Sequence, residues 1–180
     1  MTIPATSALI VVDLQVGTTS AAMAHPIDEI VSRAAALAAA YRAHGRVVVL
    51  TSVDGTPPGR TTSAEGAQQW PEPFSTVLPE LDPQPEDLLA SRRTWNAFAG
   101  TDLRGRLEVR GVTQVVLVGV ATSFGVESTA RAAYDLGYDV LVVTDAMTDR
   151  SAESHEHVLA RVLPALGRAV TTDAVLAGLG

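Results

Sequence analysis

The sequence has no cysteine among its 180 residues. Disulfides, thiolate metal sites and a cysteine nucleophile are therefore excluded together. Lysine is absent too: all 13 basic side chains are arginine, which keeps its charge and cannot exchange a proton. No apolar run approaches the ~20 residues of a membrane-spanning helix, so no membrane partner is expected. Positive charge is in deficit, with 20 acidic residues against 13 basic and a net charge of −7. The pI near 5.0 argues against a nucleic-acid partner, which would call for a basic footprint. The opening stretch, MTIPATSALIVVDLQ, carries no positive charge before an apolar run that ends in Asp13. It reads as a first strand and not a signal peptide, and a cytoplasmic location is the expectation.

What is present is a 47% hydrophobic chain of a size that suits one α/β domain over residues 1–180. Its organising stretch is residues 115–146, VVLVGVATSFGVESTARAAYDLGYDVLVVTDA. Two short apolar runs bracket an amphipathic segment of helix length, so the unit reads as strand, turn, helix, strand. Ser123 or Thr122 can cap the helix start, and Gly137 can take the left-handed position after its last turn. The turn lies at the carboxyl end of a strand and the amino end of a helix, where open α/β sheets bind ligands.

Elsewhere, residues 8–14 read as a buried strand with Asp13 at its carboxyl end, where a charge is costly unless paired or set in a cleft. Residues 16–26 read as a small polar connection, 26–44 as a helix stopped by Gly45, and 46–52 as a second strand. Residues 54–85 hold seven of the chain's 10 prolines and form a long Pro/Gly-rich loop, with a short turn near 77–81. A third strand is expected at 87–90, a helix at 102–110, another from a Ser151 cap to about 166, a short strand at 168–171 and a last helix at 173–179. Six strands alternating with helices give a three-layer α/β/α sandwich around a mostly parallel sheet.

The central turn, Gly119-Val120-Ala121-Thr122-Ser123-Phe124-Gly125-Val126-Glu127-Ser128-Thr129-Ala130, resembles the signature of the isochorismatase-like superfamily. Val11-Val12-Asp13-Leu14-Gln15 and the block from Arg92 to Leu103 resemble it as well, so the likeness covers nearly the whole chain. In the cysteine-hydrolase branch the position of Gly125 holds the nucleophile, that of Arg92 a lysine and that of Asn96 a serine. The resemblance implies catalytic positions at Asp13, Arg92 and Gly125. It also implies a non-proline cis peptide at Val120–Ala121, and a substrate pocket involving Gln15, Trp95, Phe98, Val120, Ala121, Thr122, Ser123 and Phe124. No cofactor is implied. Gln15 interrupts the metal pattern of the nicotinamidases, and His155 and His157 do not share a helix face, so no metal site is expected.

Without a thiolate, amide hydrolysis by the branch's covalent route is excluded. Ser123 is a poor replacement, since its side chain would have to point in a different direction. Isochorismatases are the closer comparison: they resemble this chain in having Gly at the nucleophile position, and they cleave a vinyl ether with no covalent intermediate. The resemblance implies that Asp13 protonates the enol-ether carbon of a small anionic substrate and that water adds to the resulting cation. Arg92 would hold a substrate carboxylate, although an adjacent arginine opposes protonation of an acid. Other readings stand beside these. Asp13 and Arg92 also read as a buried ion pair in a catalytically silent relative that binds a small molecule or serves as a structural subunit. Gln15 reads equally as a loop anchor, and Trp95, Phe98 and Phe124 as pocket wall or core. Trp70, Phe74, Val77 and Leu78 would leave a monomer partly wet, so a homodimer or higher homo-oligomer is expected.

Overall fold

The computed structural model describes residues 1–63 and 65–180. Its first strand, β1 (Ser7–Val12), is buried along its whole length and sits inside a six-stranded sheet. To one side lie β2 (Val47–Val53) and then β5 (Leu88–Arg92). To the other lie β6 (Gln114–Val120), β7 (Asp139–Thr148) and β8 (Arg168–Val170). Every pairing in this sheet is parallel, and the helices between strands cover both faces, which is the three-layer α/β/α arrangement expected.

Alternation along the strands builds the two cores. Leu9, Val11, Val116 and Val118 face α2 (Ile27–Ala43) and α6 (Thr172–Gly178). Ala8, Ile10, Val115 and Leu117 face α3 (Leu103–Val109) and α4 (Glu127–Asp135). The chain leaves β1 toward β2 and later returns to β6 on β1's other side. The carboxyl ends of β1 and β6 therefore form the topological switch point, where such sheets open a crevice.

Several elements differ from the sequence reading. The connection after β1 contains a helical turn, α1 (Val16–Thr19), held by the Thr19 hydroxyl donating to the Gln15 carbonyl at 2.7 Å. The Pro/Gly-rich loop includes an antiparallel pair, β3 (Gly55–Thr56) with β4 (Gln68–Gln69), and a 3₁₀ turn at Pro79–Leu81. Trp70, Phe74, Val77 and Leu78 are half-buried there. Strand β5 runs on to Arg92 because Arg92 pairs with Val53. Strand β7 continues past Val143 across a bulge and re-pairs with Gly119 and Val120. A π turn at Thr122–Val126 precedes α4, and no side-chain cap opens either element. Ser151, by contrast, caps α5 (Ala152–His157) by accepting from the Ser154 N–H.

Gly119, beside the bulge, has φ +112° and no room for a side chain: a Cβ would lie 2.0 Å from the Val12 carbonyl oxygen. Gly119→Ala should cost about 3 kcal/mol or more. Thermal denaturation should show the midpoint falling by roughly 6–12 °C.

Candidate active site

Three adjacent strands deliver three polar side chains to one point. Asp13 directly follows β1, Thr51 lies on β2, and Arg92 ends β5. Asp13 has φ +50°, a left-handed conformation that aspartate tolerates better than most residues. Arg92 grips its carboxylate with both arms, Nη1 donating to Oδ1 at 2.6 Å and Nη2 to Oδ2 at 2.9 Å. The Thr51 hydroxyl donates to Oδ1 at 2.8 Å. Arg92 and Asp13 are only 4% and 6% exposed.

Arg92 is fully engaged. Nε donates to the Asn96 carbonyl at 3.0 Å, Nη1 also to the Ser52 carbonyl at 3.1 Å, and Nη2 to the Trp95 carbonyl at 2.7 Å. A guanidinium has five N–H groups, and here all five have acceptors within the protein. The bidentate grip on a substrate carboxylate expected of Arg92 is therefore unavailable, because Asp13 already occupies it. On the aspartate, Oδ1 has two donors, whereas Oδ2 has one and keeps a lone pair.

That lone pair lies beside Gly125. A Cβ at Gly125 would sit 3.2 Å from Asp13 Oδ2, 3.1 Å from the Val120 carbonyl oxygen and 2.9 Å from Val12 Cγ1. Asp13 and Gly125 share a cavity of about 340 Å³ whose walls include Trp70, Trp95, Phe124 and Arg150. Trp95 and Phe124 meet edge to face, their centroids 5.1 Å apart. Val120 and Ala121 also line the cavity, and the peptide between them is cis.

The other residues expected in the pocket lie elsewhere. Gln15 is fully buried; its amide donates to the Val53 and Phe74 carbonyls and accepts from the Val53 N–H, fastening the long loop to β2. Phe98 stacks on Tyr138 at 5.9 Å within the second core. Thr122 is buried against His155, with 2.8 Å between Oγ1 and Nδ1. The Ser123 hydroxyl and N–H both donate to Asp149 Oδ2 at 2.7 Å, which ties the start of the π turn to the residue after β7. Asp149, 2% exposed, escaped the sequence reading because β7 appeared to end before its bulge. The signal that singled out Asp13, an acid directly after an apolar strand, would have found it in the longer strand.

The pattern of the isochorismatase domain matches residues 7–174. The chain belongs to the isochorismatase family. The isochorismatase family protein YwoC of Bacillus subtilis is 36% identical over 180 residues, covering 94% of this chain and 92% of its own. The structure of an isochorismatase family protein from Burkholderia thailandensis superposes with a TM-score of 0.93 at 34% identity, covering 99% of this chain and 97% of the other. A maleamate amidohydrolase of Pseudomonas putida is 29% identical over 149 residues, 78% of this chain and 70% of its own.

Two predictions follow from the buried groups. Arg92→Leu would strand the Asp13 carboxylate and should cost about 3–5 kcal/mol, and adding Asp13→Asn should recover part of that loss in urea denaturation. Burial lowers the pKa of His155, and the nearby His25 adds to the effect, while Glu156 and Asp149 oppose it. Protonation is thus easier in the unfolded chain, and stability falls as pH drops through about 6.5, the unfolded value, toward the lower folded one. His155→Gln should flatten the change in melting temperature between about pH 7 and pH 5.5.

Proposed function

We propose that this isochorismatase-family protein is a hydrolase that acts on a small anionic substrate without a covalent intermediate, with Asp13 carrying the proton. The observation behind this reading is the free lone pair of Asp13 Oδ2, which lies beside Gly125 on the wall of the cavity. A route through a thioester has no thiol to use. An enol ether needs none. Protonated Oδ2 gives its proton to the terminal enol carbon, forming a C–H bond and leaving a cation shared with the ether oxygen. Water adds to that cation and returns a proton to Oδ2. The hemiketal then collapses to a carbonyl compound and an alcohol. Arg92 and Thr51 position the carboxylate, and the aromatic walls limit the water that reaches the cation. The maleamate amidohydrolase, by its name, acts on a small unsaturated carboxylate, which agrees with the anionic part of the reading.

The complete engagement of Arg92 favours a second reading, a catalytically silent member that binds a small molecule. A mass-spectrometric screen of small enol ethers and carboxylates separates the two. The hydrolase reading expects ¹⁸O from labelled water in the carbonyl product and one solvent deuterium on carbon. Asp13→Asn should lower turnover at least about a hundredfold, with melting curves confirming that the protein stays folded. Gly125→Ala retains the ion pair but brings a Cβ to 3.2 Å from Oδ2 and 2.9 Å from Val12 Cγ1; it should depress kcat/KM, with the melting curve separating crowding at Oδ2 from a disturbed core. A wild-type protein that turns nothing over supports the silent reading.

A further inference from the structure

With Arg92 spoken for, the cleft needs a different cation to hold an anion. Arg93 is also on the cavity wall, but its Nε pairs with Asp54 at 3.3 Å. Arg150 is exposed and lines the same cavity. Among the described residues it forms no ion pair. In a protein of net charge −7, it is, among the described residues, the arginine on the cavity wall that no carboxylate contacts.

Its placement is not accidental to the cleft. The preceding residue, Asp149, holds the N–H and hydroxyl of Ser123 at 2.7 Å each. The backbone at Arg150 is thus tied to the turn that carries Phe124 and Gly125. Both of the chain's tryptophans and one of its three phenylalanines line this one cavity. Trp95 is 60% and Phe124 46% exposed, leaving wet two aromatic faces that a flat, unsaturated ligand would cover. A volume of about 340 Å³ lies at the small end of ligand pockets and suits one ring with a short substituent. A second carboxylate would face Asp13 with no free cation to balance it.

We propose that Arg150 is the anion anchor of this cleft and that the ligand is a planar, unsaturated or aromatic monocarboxylate. Its carboxylate meets Arg150 and its ring lies against Trp95 and Phe124. The assignment rests on the same cleft as the hydrolase reading but not on turnover. Benzoate has no bond to hydrolyse, so its binding stands or falls independently of the chemistry.

Because both tryptophans line the cavity, tryptophan fluorescence reports occupancy. Titration with benzoate should perturb the wild-type emission and saturate. Arg150→Gln, an exposed change that the fold should accept, should weaken benzoate about tenfold or more. The same variant should shift neutral benzamide by less than about threefold. Arg110→Gln, at the opposite edge of the sheet, removes the same charge and should leave benzoate binding near the wild-type value. The anchor is overturned if Arg150→Gln binds benzoate as the wild type does, if Arg110→Gln weakens it equally, or if the wild type prefers benzamide. No saturable benzoate signal up to tens of millimolar also overturns it. Tighter binding of terephthalate than of benzoate would overturn the monocarboxylate assignment.

Discussion

The carboxyl edge of the sheet depends on one ion pair. Asp13 and Arg92 lie at the ends of strands separated by β2, and their two-armed contact spans that strand with Thr51 in the middle. A charge pair this buried is not by itself a source of stability, since desolvating both ions costs about as much as their attraction returns. What it provides is definition. The remaining N–H groups of Arg92 reach the carbonyls of Ser52, Trp95 and Asn96. The segment carrying Trp95 is thereby set beside the cleft by the same side chain that orients Asp13.

On the other side of the switch point, a second buried carboxylate does comparable work. Asp149 gathers the start of the π turn through Ser123 and the backbone of Ser151, and its own carbonyl accepts from Ala24 at 2.7 Å. One acid thus shapes the floor of the cleft and the other its far wall. The two differ in what they leave open. Asp13 Oδ2 keeps a lone pair toward the cavity, whereas Asp149 Oδ2 is consumed by two donors from one serine.

The layers, the mostly parallel six-stranded sheet and the place of Asp13 at a strand's end were legible because apolar runs ending in a charge have few other interpretations. The order of the strands was not. The sequence holds no cysteine, and Gly125 stands inside a motif otherwise close to the form it resembles. Arg92's saturation was not legible. Its acceptors are backbone carbonyls brought close by the turn after β5, and no side-chain pattern spells that out. Gln15 and Phe98 illustrate the same gap. Each lies within a stretch that resembles the family, but the turns after β1 and β5 point it into the body of the protein. The length of β7 was misjudged because Thr144 and Asp145 look like an ending, whereas the bulge there lets the strand resume. With it went Asp149 and Arg150.

The tight quarters at Gly125 limit what the position accepts. Any larger residue there would bring a Cβ to 2.9 Å from Val12 Cγ1. Val12 is fully buried, and a β-branched side chain in a packed strand has little freedom to turn aside. A side chain at position 125 would therefore press on Val12, and either Val12 or the turn would have to shift to admit it. The two positions lie 113 apart in the chain yet share one packing constraint, so what fits at one depends on the residue at the other.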